Sequence, residues 1–197
     1  SKRGKPNITA LYDRKVLKAD DAIYLEEADL VIGLSVNGAS RAYPLRIAAS
    51  HFVVNDTLGG APTAVTYYGI ASSARAFERA PEVRPELWGI YKAGVVLTDG
   101  KGEVRWSHLT GEALTGGPSL QPLPAYQATW RDWRERHPDT TVLALPEGKY
   151  APSGLGRKGF GGRGLPDGSS LPDFYKATLK GEIDPRLKPN ALVLGVE

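Results

Sequence analysis

With 197 residues, 41% of them hydrophobic, the chain is long enough for one sizeable domain with a core, and disorder over most of its length is not expected. A formal net charge of +3 comes from 25 Lys and Arg scattered among 22 acids rather than gathered into a stripe, so no nucleic-acid partner is expected. Cysteine is absent, which excludes disulfides and thiolate metal sites, and no run of about 18 apolar residues marks a membrane span in this chain.

The chain opens on polar, basic residues without methionine, as a processed product would. Few Asn and Gln, many Arg and 15 Pro give the composition a thermophile-like lean. Residues 1–10 read as a flexible tail. Residues 18–25 suggest a short helix leading into a buried strand at Leu30–Val36. Asn37 and Gly38 then supply the two positive-φ positions of a type I′ turn, so residues 39–43 pair back antiparallel. Pro44 suits the first position of a helix that runs to Ser50 and delivers His51.

Residues 52–55 and Ala61–Tyr68 read as strands around a Gly59-Gly60 turn, with Ala61, Thr63, Val65 and Tyr67 on one face. Residues 70–77 continue that strand or begin another. Two prolines make 80–87 a surface loop. Residues 94–97 and 103–107 flank Asp99-Gly100-Lys101-Gly102, a second strong hairpin signal. Pro122 and Pro124 limit 120–127 to an edge strand or an extended segment. Thr129 and Asp132 form a capping box for a helix at 130–137 that Pro138 stops. Residues 140–145 read as a strand, 146–170 as a long Gly-rich loop, 172–179 as a short helix and 191–196 as a buried strand. The class expected is α+β: a single domain over 11–197, mostly antiparallel sheet with a few short helices.

Polar chemistry concentrates in 51–79. His51 precedes Asn55 and Asp56, and His108 precedes Glu112 by four. His51, Asp56, His108 and Glu112 together offer two imidazoles and two carboxylates to a divalent metal ion, or a base with an orienting acid. The alternative is that both histidines satisfy loop backbone and that Asn55-Asp56 is turn chemistry. No H-E-x-x-H spacing decides between them. His137 sits where a cation suits the end of a helix. Ser72 and Ser73 lack the G-x-S-x-G context of a nucleophile elbow. Trp130 and Trp133, three apart, read as core, while Trp106 is core or a ligand platform. Gly154, Gly156 and Gly159 match G-x-G-x-x-G but stand outside any strand–helix unit, which leaves an anion-binding loop with Arg157 and Lys158.

The order of VIGL at 31–34, RAYPL at 41–45, His51 with VND at 54–56, GAPTAVTY at 60–67 and SARAF at 73–77 resembles the prokaryotic domain of unknown function 3179 family. The resemblance continues through WSH at 106–108, TGEA at 110–113, Thr129-Trp130 with Trp133, HPDT at 137–140 and VLGV at 193–196. It implies one domain and an extracytoplasmic location, in the periplasm, the cell envelope or outside the cell. Family sequences read Tyr-Cys-Pro-Leu-Cys after the Val-Thr, with Glu after the motif histidine. Here those positions hold Tyr67-Tyr68-Gly69-Ile70-Ala71 and Phe52. Two thiols beside a histidine would suit a soft metal or a redox pair, and this chain has replaced both.

The leading expectation is a ligand-binding domain without catalysis of its own, for a small-molecule or metal ligand. Its binding residues are Asn55, Asp56, Tyr67, Tyr68, Ser72, Ser73, Trp106 and Glu112, beside His51 and His108. One rival is a metal-dependent or histidine-based hydrolase with His51 and His108 as the catalytic candidates. The other is a structural or partner-binding protein that uses the basic Gly-rich loop at 154–164.

Overall fold

Asn37 and Gly38 take up φ of 49° and 79°, and Gly59 and Gly60 φ of 57° and 79°, so the two tightest hairpins form where the local chemistry demands left-handed backbone. The computed structural model describes residues 8–92, 94–146 and Arg186. The expected Gly-rich loop beyond Pro146, with its glycine motif and basic residues, the helix at 172–179 and the strand at 191–196 lie outside the described residues.

In chain order the elements are β1 (Leu11–Tyr12), β2 (Val16–Lys18), β3 (Leu30–Val36), β4 (Ala39–Pro44), α1 (Leu45–His51), β5 (Val53–Leu58), β6 (Ala61–Tyr68) and β7 (Ser73–Glu78). They continue as β8 (Glu86–Tyr91), β9 (Gly94–Thr98), β10 (Arg105–Ser107), β11 (Gln121–Leu123), β12 (Ala125–Thr129), α2 (Trp130–Arg136) and β13 (Thr141–Leu143). They form a single α+β domain of three sheets. Sheet I has the order β12-β3-β4-β13-β2, sheet II β1-β5-β6-β7-β11 and sheet III β10-β9-β8. All pairings are antiparallel except β1 with β5 and β13 with β4.

Hydrophobic contacts stack these sheets in layers. Ile32, Leu34 and Tyr43 of sheet I meet Val54, Val65 and Ala76 of sheet II, with Leu45 and Ile47 of α1 between them. On the other face of sheet II, Val53, Ala64, Tyr68 and Phe77 meet Val95, Leu97 and Trp106 of sheet III. Trp130 and Trp133 of α2 cover the outer face of sheet I against Val31, Ala42 and Val142. Sheet II is therefore buried on both faces, which is why β6 carries apolar residues, threonines and tyrosines at successive positions instead of alternating with charge.

Some local expectations shift. Residues 8–10, placed in a tail by sequence, lie against the fold, since Ala10 is buried in the core between sheets II and III. The expected helix at 18–25 is a single 3-10 turn at Ala19–Asp21. Pro44 closes β4 and caps α1 instead of starting the helix, so the missing N–H falls one position earlier than expected. The proline-rich stretch at 120–127 divides at Pro124. Gln121–Leu123 pairs with β7, and Ala125–Thr129 pairs with β3 of the other sheet. The loop at 80–87 gives way at Glu86 to β8, whose register breaks between Leu87 and Gly89.

Thr129 Oγ1 accepts from the Asp132 N–H at 3.1 Å, as a capping residue should. The Asp132 carboxylate accepts from the Thr129 hydroxyl at 2.7 Å, where a capping box would have it reach the Thr129 N–H. Asp99 closes the sheet III hairpin by accepting from the Gly102 and Glu103 N–H groups at 2.7 and 3.1 Å.

Candidate functional site between sheets II and III

Strand alternation distributes the candidate residues over two faces of sheet II. Residues directly opposite in an antiparallel pair point to the same face, and Tyr68 lies opposite Ser73 and Thr66 opposite Arg75. These positions face sheet III, as do Val53 and Ala64. Tyr67 faces sheet I with Val54 and Val65. Asn55 and Asp56 follow the same rule, one to each side.

The centre of the sheet III side is His108, only 1% exposed. It leaves β10 in a turn that holds its N–H on the Val95 carbonyl at 3.0 Å and turns the next residues through Gly111, at φ 76°. Its Nδ1 lies 2.9 Å from Thr66 Oγ1, whose hydroxyl donates to the Arg75 carbonyl at 3.2 Å. Thr66 Oγ1 thus bridges the His108 ring and the Arg75 carbonyl. Nε2 is buried and makes no hydrogen bond of ordinary geometry among the described residues. Burial pulls the His108 pKa down to about 4, the Arg75 charge adds to this, and the Ser73 carbonyl works against it.

Ser73 is 9% exposed, and its Oγ is likewise buried without a hydrogen-bond partner among the described residues. Tyr68 stands next to it and presents its ring to His108 edge-on, with centroids 6.4 Å apart at 77°. The other side of Tyr68 meets Phe52, with centroids 6.1 Å apart. Phe52 caps α1 at φ 63°. Two positions where the chain departs from the family pattern, 52 and 68, are thus in contact and form an aromatic wall beside His108.

The remaining candidates are placed elsewhere or otherwise engaged. His51 ends α1 and is buried, with Nδ1 2.7 Å from the Thr9 carbonyl. Burial lowers its pKa, the Thr9 carbonyl opposes that, and Arg14 adds to it. Asn55 is fully buried and donates to the Pro85 carbonyl at 2.9 Å. Asp56 pairs with Arg41 at 2.5 Å and accepts from the Tyr43 hydroxyl at 2.8 Å, so its carboxylate joins sheets I and II instead of lining the site. Burial, followed by the Asp56 charge, holds the Tyr43 pKa well above its ordinary value.

Glu112 is exposed and contributes only backbone to the turn, accepting from the Ser107 N–H at 2.9 Å. Ser72 is exposed at φ 45°, and its carbonyl accepts from the Gln127 side chain. Trp106 is core rather than platform, 1% exposed with Nε1 on the Pro118 carbonyl at 2.8 Å. Ala71, the other substituted cysteine position, is exposed at the end of a 3-10 turn. Among the described residues no three His, Asp or Glu side chains converge as a metal-binding group. The tetrad His51, Asp56, His108 and Glu112 is therefore not assembled. Thr66 and Arg75, which sequence reasoning did not single out, are the residues that orient His108.

The fold and site define a layered α+β domain with a buried histidine, serine and tyrosine cluster between two of its sheets. The chain belongs to the family described as protein of unknown function (DUF3179), whose family model matches residues 5–197. No curated protein and no solved structure matches it.

Proposed function

We propose that the protein is a ligand-binding domain that holds a small, uncharged polar molecule between sheets II and III, without catalysis of its own. The observation that carries this reading is the pair of buried polar atoms between sheets II and III, His108 Nε2 and Ser73 Oγ, that make no hydrogen bond of ordinary geometry among the described residues. Buried polar groups that the fold does not satisfy cost of the order of 1–3 kcal/mol each, a cost that a hydrogen-bonding ligand removes. The environment also argues for binding over base catalysis. An imidazole held near pKa 4 is a poor general base at neutral pH, and the hydroxyl beside it, Thr66 Oγ1, is buried and also donates to the Arg75 carbonyl. Its neutrality, and the aromatic wall of Tyr68 and Phe52, favour an uncharged guest. The family resemblance supports an extracytoplasmic location, which fractionation of source cells tests.

The decisive experiment follows the His108 ring resonances by NMR while a panel of small amides, alcohols and heteroaromatics is added. A saturable shift of those resonances that Ser73→Ala abolishes is expected. Turnover of a model ester or phosphoester that disappears in His108→Ala would overturn the reading in favour of a hydrolase.

A further inference from the structure

Sheet III has an outer face whose chemistry the core does not use. In β8 the side chains of Leu87 and Ile90 point inward to the cluster of Val95, Leu97 and Trp106. Trp88 and Tyr91 are exposed, 41% and 54% respectively, although large aromatic rings are ordinarily buried. Each ring carries a cation. The Arg105 guanidinium lies 4.4 Å from the centre of the Trp88 ring, and Lys92 Nζ lies 5.5 Å from that of Tyr91. Neither cation forms an ion pair among the described residues, and Arg105 Nε is buried without a hydrogen bond. Between the two aromatics stands Gly89, where an added Cβ would meet nothing within 4 Å. The result is two exposed aromatic rings, each with a cation over one face that forms no ion pair among the described residues.

We propose that this face binds an acidic oligosaccharide, with sugar rings stacked on Trp88 and Tyr91 and carboxylates received by Arg105 and Lys92. The C–H faces of sugar rings are flat, weakly apolar and slightly positive, which suits the negative face of an aromatic ring. A guanidinium already held flat by stacking keeps its N–H edge available for a carboxylate. Two other polyanion classes fit less well. A single-stranded nucleic acid carries a phosphate at every nucleotide and needs a row of cations, whereas this face offers two. An acidic peptide joining the β8 edge would need an unbroken ladder, and the bulge between Leu87 and Gly89 interrupts it. The site is separate from the His108 cluster and does not depend on that reading.

Titration of the whole chain with a galacturonic acid oligomer, followed by tryptophan fluorescence and calorimetry, tests the proposal. Parallel arms use a neutral galactose oligomer, single-stranded oligothymidylate and a glutamate-rich peptide. Saturable binding of the acidic sugar is expected, weakened about tenfold or more by Trp88→Ala and by Arg105→Gln. Tyr91→Ala replaces Trp88→Ala should the latter fail to melt cooperatively. His108 ring resonances should stay unmoved, which separates this site from the buried one. Absence of binding, equal binding of the neutral oligomer, preference for the nucleic acid or the peptide, or unchanged affinity in the folded variants would overturn it.

Discussion

Asn55 and Asp56 are neighbours in the chain and lie on opposite faces of sheet II, one fastened to the Pro85 carbonyl and the other to Arg41 and Tyr43 of sheet I. What reads as one polar pair in sequence is two separate fasteners. Asp56→Asn leaves the Arg41 guanidinium, whose side chain is 12% exposed, without its carboxylate. Breaking a buried pair by removing one partner costs about 3 kcal/mol or more. Asn55→Ala removes one hydrogen bond and leaves the Pro85 carbonyl unpaired, at about 1–2 kcal/mol. Urea denaturation should rank the two variants in that order, and neither should shift the His108 ring resonances to the extent that Ser73→Ala does.

His108 makes stability depend on pH with a definite sign. Its folded pKa of about 4 lies below the ordinary histidine value, so the unfolded chain binds the proton first. The stability is fully present above about pH 6.5 and is lost as pH falls towards 4. At pH 5 the loss from this one group is of the order of 2 kcal/mol. Burial shifts His51 in the same direction, so the two add. Denaturant midpoints at pH 7 and pH 5 should differ clearly in the parent chain and differ less in His108→Gln. An unchanged difference in the variant would assign the acid sensitivity elsewhere.

Turns and caps were legible because a few adjacent residues decide them. Asn37-Gly38, Gly59-Gly60 and Thr129 with Asp132 all act within four positions; both turns sit where their chemistry requires, and Thr129 caps α2, although Asp132 bonds its hydroxyl and not its N–H. The site was only partly legible because it is assembled by stacking. Alternation put Thr63, Val65 and Tyr67 on one face of β6, but which face meets His108 depends on sheet III, folded from residues some 20 to 40 positions later. The four-residue spacing of His108 and Glu112 suggested a shared site, yet the left-handed turn at Gly111 sends Glu112 into solvent. The strand β8 escaped notice because a glycine and a register break interrupt its alternation.

Gly33 is fixed by a neighbour rather than by its backbone. A Cβ there would stand 2.2 Å from two carbons of the Trp133 indole. That ring cannot swing away cheaply, since Nε1 donates to Thr140 Oγ1 at 3.0 Å and the His137 ring stacks on it at 3.9 Å. Gly33→Ala should destabilise by about 3 kcal/mol through overpacking. In Trp133→Leu, where the large ring is gone, the same substitution should cost much less. A double-mutant cycle from chemical denaturation measures that coupling, and additive effects would show that the clash is relieved by other means.

Arg79 holds together the segment between β7 and β8 with carbonyl oxygens where a carboxylate would be the usual partner. Nε donates to Thr63, Nη2 to Asp56, and Nη1 is shared among Ala80, Pro81 and Val83, at 2.9–3.3 Å. The residue is buried, and burial lowers its pKa from the ordinary arginine value. Only the guanidinium fork spans such a set, because a lysine ammonium is a compact point charge with three donors. Arg79→Lys therefore keeps a buried charge while losing most of what satisfies it. Arg79→Met loses the hydrogen bonds but also removes the charge. The lysine variant should be at least as destabilised as the methionine variant, each by about 3 kcal/mol, and both should be cut faster by protease within 80–85. A lysine variant close to the parent in stability and cleavage rate would mean that charge alone, and not the carbonyl geometry, secures this segment.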